Sequence, residues 1–108
     1  MIAVITGDIV NSRALPALWI ETLKQALSSL PEKEAKWEIF RGDSFQVELS
    51  ADVALLASIY IKASIKTIKS ADVRLSIGLG TKAKTVASKV TEANGEAYIN
   101  SGEAFDTL

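Results

Sequence analysis

The sequence contains no cysteine and no histidine, and it has only two prolines and six glycines in 108 residues. These absences exclude disulfides, thiol nucleophiles, imidazole bases and zinc sites built from cysteine or histidine. Any chemistry in this chain must therefore use carboxylates, hydroxyls, amines and guanidinium groups, or a hard cation held by oxygen ligands.

Long hydrophobic runs are also missing. No stretch of 18 apolar residues occurs, and the start MIAVITGD lacks the basic segment of a secretion signal. We expect a cytoplasmic protein that makes no membrane contact.

Length and charge favour one compact domain. At 108 residues and 48% hydrophobic content, the chain is long enough for one core and too short for two. The net charge is −1, but residues 50–90 hold two acidic and seven basic side chains, whereas residues 91–108 hold four acidic and no basic ones. The basic segment either contacts phosphates or balances its acidic neighbours across the fold, and the second use is the commoner one.

The hydrophobic periodicity predicts the element order β-α-β-β-α-β followed by a helical tail. The predicted strands are 1–9, 37–40, 44–49 and 72–79, and the predicted helices are 16–31, 52–70, 82–90 and 96–108. This order is that of a ferredoxin-like α+β sandwich, an antiparallel sheet with two helices on one face. Because the chain stops within a helical pattern, we expect it to be the N-terminal part of a longer protein.

One core is predicted from the apolar positions of these elements. Its expected members are Val4, Ile5, Ile9, Leu23, Leu27, Phe45, Val47, Leu56, Tyr60, Leu75 and Ile77. In helix 52–70 a further apolar stripe, Ile61, Ile65 and Ile68, is left over. We expect this stripe to pack against a second copy or against a C-terminal region outside the chain.

Two aspartates are the strongest candidates for a functional site. Asp8 ends the first strand, and Asp43 lies in the Arg41-Gly42-Asp43 turn of the predicted hairpin. In the predicted topology both emerge at the same edge of the sheet, where carboxylates suit Mg²⁺ together with phosphate oxygens. The alternative is structural: Asp8 caps a loop and Asp43 serves a turn, and the residues alone favour this use.

A weaker signal lies at the end of the fourth strand. Glycines around Gly80 allow close backbone approach to a phosphate, and Lys82 and Lys84 add positive charge. The full P-loop pattern is absent, so a plain strand-to-helix turn is the favoured alternative. These three residues stand as a candidate phosphate-binding set.

Four blocks in order, MIAVITGDIVNSR, FRGDSFQVEL, LSIGLGTK and ANGEAYINSGEAF, resemble the SatD family of bacterial proteins over the whole chain. Members of that family are roughly twice as long, so the resemblance implies an N-terminal half. Nucleic acid, if bound at all, would then be contacted by the absent second half.

The same blocks resemble, more distantly, the palm of class III nucleotidyl cyclases and diguanylate cyclases. That likeness implies a metal site in which Asp8 and Asp43 supply carboxylates and Ile9 a backbone carbonyl, with Mg²⁺ as the ion. The aromatic-Thr pair and the longer acidic hairpin motif of those enzymes are absent. The resemblance therefore implies a regulatory or sensory domain that binds a nucleotide or phosphate with Mg²⁺, rather than an active cyclase. The alternative is a non-enzymatic dimerisation or interaction module of a DNA-binding or stress-response regulator.

Overall fold

The computed structural model describes residues 1–15, 17–33, 35–81 and 96–108. The strands are β1 (Ile2–Val10), β2 (Lys36–Phe40), β3 (Ser44–Ser50) and β4 (Asp72–Gly80). The helices are α1 (Leu18–Ser28), α2 (Ala54–Lys66) and α3 (Glu96–Asp106), with short 3-10 turns at Ser12–Ala14 and Ala51–Val53. The predicted helix 82–90 lies outside the described residues.

The strands form one antiparallel sheet in the order β2-β3-β1-β4. The predicted ferredoxin-like α+β fold is confirmed, because this order with α1 and α2 as crossovers is the split β-α-β arrangement. β1 is central and nearly all buried, which explains why its sequence is mostly apolar and does not alternate between apolar and polar residues.

The main core lies between the sheet and the pair α1 and α2. Successive strand residues point to opposite faces, so Ile5 and Ile9 of β1 enter this core with Phe45 and Val47 of β3. Leu23 and Leu27 of α1 complete the predicted contacts. Leu75 and Ile77 are half-buried and pack against the edge of the same cluster.

The predicted orientation of α2 is wrong. Leu56 and Tyr60 are 59% and 42% exposed, whereas Ile61 and Ile65 are fully buried against the sheet. Ile68, just after the helix, also packs against the core. The stripe of alanine and isoleucine side chains packs on the sheet. This stripe lets the helix approach closely and leaves the tyrosine hydroxyl in water. The isoleucine stripe is therefore not available as a docking surface.

α3 covers the other face of the sheet. Val4 points to this side, so it is buried with Ala97 and Tyr98 in a small second cluster and not in the predicted main core. Gly78 allows this contact, because a Cβ at that position would overlap the backbone of Ala97 and Ser101. Among the helices that the structure describes, none has the length and apolar character needed to cross a membrane.

Candidate functional site at one end of the sheet

The topology brings the two predicted aspartates to the same end of the sheet. In the strand register Asp8 lies between Ser44 of β3 and Arg74 of β4. The next residue, Ile9, donates its N–H to the main-chain carbonyl of Asp43 at 3.0 Å. Asp8 and Asp43, 35 positions apart in the sequence, thus emerge from adjacent strands.

An arginine that the sequence analysis did not single out joins this pair. Arg74 donates from Nη2 to Asp8 Oδ2 at 2.6 Å and from Nε to Oδ1 at 3.0 Å, which makes a bidentate ion pair. The Arg74 side chain is 51% exposed and that of Asp8 only 18%. The carboxylate is therefore fixed by the sheet, while the guanidinium lies over it from the solvent side.

Both carboxylates act on this one guanidinium. The pKa of Arg74 is raised, first by the hydrogen bond and charge of Asp8 and then by the charge of Asp43. The direct contact of Arg74 is with Asp8, whereas Asp43 contributes through its charge.

The Asp43 side chain is held by the segment that follows β1. Ser12 donates its hydroxyl to Asp43 Oδ2 at 2.8 Å, from the 3-10 turn that begins after Asn11. The hairpin turn is itself unusual, since Arg41 and Gly42 have φ angles of 52° and 83°. Glycine suits that left-handed region, but an arginine there is uncommon.

Three oxygen donors of the kinds that bind Mg²⁺ lie at this end of the sheet. In an antiparallel ladder the N–H and C=O of one residue point towards the same neighbouring strand. The Ile9 carbonyl therefore faces the Asp43 turn, as the Ile9 N–H does. Together with Asp8 and Asp43 it offers two carboxylates and a carbonyl. Within the described ranges no group of three or more acidic, cysteine or histidine side chains could hold a metal. Two carboxylates suffice for Mg²⁺ when waters and phosphates fill the other positions.

Gly80, the member of the candidate phosphate set that the structure describes, is not brought to this site. Gly80 pairs with Ile2, six residues along β1 from Asp8, which is about 20 Å at the usual strand rise. Close packing explains the glycine, because a Cβ there would lie 2.6 Å from the backbone nitrogen of Ala97. Lys82 and Lys84 lie outside the described residues.

A pocket of about 340 Å³ lies on the face that α3 partly covers, next to Asp8 through its strand partner Ser44, whereas Asp43 lines a separate hollow with residues 11–14. The walls of the pocket include Thr6, Ser44 and Gln46 from the sheet and Phe105 from α3. Phe105 also packs beside Arg74, whose guanidinium carbon lies 5.6 Å from the ring centroid. Arg74 therefore links the carboxylate site to the pocket.

Sequence reasoning missed Arg74 and the pocket for one reason. Both depend on which residues oppose each other across strands, and on where α3 lies. The one available signal was the alternation in β4, which puts Arg74 and Ser76 on the same face.

No protein-family model matches the chain, and no curated protein has significant sequence similarity to it.

Proposed function

We propose that this domain binds a nucleotide or another phosphate-bearing ligand together with Mg²⁺ at Asp8, Asp43 and the Ile9 carbonyl, and that it acts as a regulatory or sensory domain. The observation that carries the proposal is the placement of Asp8 and Asp43 at one end of the sheet, where the Ile9 N–H donates to the Asp43 carbonyl and Arg74 makes a bidentate pair with Asp8. Bound Mg²⁺ would neutralise the carboxylates and the charge of phosphate oxygens.

Arg74 fits such a site because its position allows exchange. It is half-exposed, and among the described residues its carboxylate partner is Asp8. When a divalent cation takes the Asp8 oxygens, the guanidinium is released and turns to the phosphate, for which its planar fork is well suited. Arg41, at the rim of the same pocket, adds a second positive charge.

The test is a thermal-shift titration of the whole chain with Mg²⁺ and nucleoside triphosphates. Mg²⁺ with a triphosphate is expected to raise the melting temperature, and Asp8→Asn is expected to remove that rise because it removes a ligand charge. The matched control is Asp72→Asn, since Asp72 forms a comparable surface ion pair with Lys62 at 2.9 Å outside the site.

Each outcome bears on the proposal. A rise that survives in Asp72→Asn and disappears in Asp8→Asn supports the site. No rise with any of the four common triphosphates, or an equal loss in both variants, would overturn it.

A second candidate function is self-association, for which the outer face of α2 gives a specific reason. Leu55, Leu56 and Ile59 are each more than half exposed, and Tyr60 lies beside them. Such a contiguous apolar patch is often an interaction surface in a soluble protein. This patch, instead of the isoleucine stripe, is the surface proposed for self-association.

Light scattering over a range of protein concentrations tests the second candidate. A dimer that Ile59→Lys converts to a monomer is the expected result, with Leu108→Lys, at another exposed apolar position, as the control. A monomer at all concentrations would remove this candidate.

A further inference from the structure

We infer that the pocket beside Asp8 binds the base of a nucleotide, so that the ligand is a nucleotide and not a simple phosphate. The inference rests on the proposed function and extends it to the class of ligand. Four observations support it: a glycine in α3, two aromatic walls, an amide on the pocket floor, and the distance to Asp8.

Gly102 is a glycine that the fold does not require. It lies inside α3, where glycine weakens a helix relative to alanine. Its backbone needs no positive φ, and a Cβ added there would meet nothing within 4 Å. Gly78 and Gly80 differ, because a Cβ at either would collide with α3. Since Gly102 lines the pocket, its missing side chain leaves space for a ligand.

Two aromatic side chains line the same pocket. Phe40 comes from the end of β2 and Phe105 from α3, and both are half-buried. Each ring already has a guanidinium group next to it, Arg41 at 5.8 Å and Arg74 at 5.6 Å from the centroid. Asp106 also lines the pocket and places one negative charge beside these two guanidinium groups. Flat walls with this net positive charge suit a planar heterocycle that carries phosphate, because bases stack on aromatic rings and arginines attract the charge.

The pocket floor offers hydrogen bonding to a base edge. Gln46 donates from Nε2 to Thr6 Oγ1 at 3.3 Å, and Thr6 is fixed in turn by Ser101 at 2.6 Å. This bond uses the amide nitrogen, so the amide oxygen of Gln46 is the group that would accept from a ligand amine. Nucleobases with an exocyclic amine provide that donor.

The pocket and Asp8 lie at the spacing of one nucleotide. Thr6 and Asp8 are on the same face of β1 and two residues apart, which is about 7 Å. Ser44 lines the pocket and lies opposite Asp8. A base between the phenylalanines therefore leaves its phosphates next to Asp8 and Arg74.

The experiment compares nucleoside triphosphates with inorganic tripolyphosphate, both with Mg²⁺, by isothermal titration calorimetry on the whole chain. Tripolyphosphate has the charge without the base. We expect at least one of the adenosine, guanosine, cytidine and uridine triphosphates to bind about tenfold tighter than tripolyphosphate or more, the scale of one stacked base.

Gly102 supplies the deciding variants. Gly102→Leu fills the pocket. In this variant the nucleotide is expected to bind about as tightly as tripolyphosphate, which itself still binds. Ala104→Leu, at an exposed position two residues along α3, is the control and keeps the preference. Gly102→Ala is expected to raise the melting temperature and weaken nucleotide binding, which separates loss of binding from loss of folding.

The outcomes separate this inference from the proposed function. Equal binding of nucleotides and tripolyphosphate, or a preference that persists in Gly102→Leu, overturns the base pocket and leaves the carboxylate site standing. Absence of binding by either probe overturns both.

Discussion

Arg74 is the residue whose surroundings say most about the site. A buried or half-buried carboxylate that holds a guanidinium is an ordinary stabilising pair, and surface pairs of this kind contribute little. The difference here is that Asp43, in the adjacent hairpin turn, places a second carboxylate at the same end of the sheet as the Asp8–Arg74 pair. A structural role and a ligand-binding role therefore predict different results when the arginine is removed.

Arg74→Gln should change metal and nucleotide affinity in opposite directions. Without the guanidinium, Asp8 has no competing cation, so Mn²⁺ alone is expected to bind more tightly. Nucleotide with Mg²⁺ is expected to bind about tenfold more weakly, because one charge-assisted contact to phosphate is lost. Calorimetric titrations with each ligand measure both effects. If both affinities stay unchanged while only stability falls, Arg74 is structural.

Arg41 is the second residue with a clear expectation. Its φ of 52° lies in the left-handed region, which costs a non-glycine residue about 1 kcal/mol that asparagine largely avoids. Arg41→Asn should therefore raise the free energy of unfolding by about 1 kcal/mol and yet weaken nucleotide binding. Denaturant titrations and calorimetry are the measurements.

Ser70 provides the matched control for Arg41. Its φ is 67°, and it does not line the pocket. Ser70→Asn should give a similar gain in stability without any change in binding. Were Arg41→Asn to stabilise the chain with binding unchanged, Arg41 would have no part in the site.

At the scale of elements, α2 shows where sequence periodicity stops being informative. The helix has two apolar stripes, one through Leu56 and Tyr60 and one through Ile61 and Ile65, and each has the spacing of a buried face. Periodicity cannot rank two such stripes. The choice is made by fit against the sheet, where small residues such as Ala57 let the helix come close.

Two alanine variants test that orientation of α2. Ile61→Ala should lower the free energy of unfolding by about 3 kcal/mol, because it opens a cavity in the main core. Leu56→Ala should change it by less than about 0.5 kcal/mol, as expected for an exposed site. Denaturant unfolding monitored by circular dichroism gives both values. The reverse order would mean that α2 is rotated from the orientation described here.

The attachment of α3 is sensitive to pH through Tyr98. Its hydroxyl donates to Glu48 Oε1 at 2.8 Å, and burial, followed by this bond, raises the pKa of the phenol above its ordinary value. The folded state therefore keeps the Tyr98 proton at pH values where the unfolded chain, whose phenol has a pKa of about 10, releases it. This contribution to stability is complete below pH 10 and is lost as the pH rises above it.

Unfolding free energies at pH 8 and pH 11 test this expectation. The wild-type chain should lose more stability between the two values than Tyr98→Phe, which has no proton to release. Tyr60→Phe, on the exposed face of α2, should keep the wild-type decline. Equal losses in Tyr98→Phe and the wild type would show that this phenol does not couple α3 to the sheet.

At the scale of the whole molecule, the fold was predictable from the sequence because its signals are local. The apolar run of β1, the hairpin around Arg41-Gly42-Asp43 and the order of the elements together define the split β-α-β topology. The meeting of Asp8 and Asp43 follows from that topology alone. Long-range packing sets the features that could not be predicted. These are the side of the sheet that α3 covers, the pairing of Asp8 with Arg74, and the pocket between α3 and the sheet.

The central claim, that the two aspartates hold a divalent cation with a phosphate ligand, is tested most directly by paramagnetic broadening in ¹H-¹⁵N NMR spectra. Mn²⁺ added with a triphosphate should first broaden the amide signals of Ile9, Asp43 and Arg74, in a saturable way, while Gly80 at the far end of β4 keeps its signal. Asp8→Asn should abolish this pattern. Broadening centred at any other part of the chain, or no saturable broadening at all, would contradict the account.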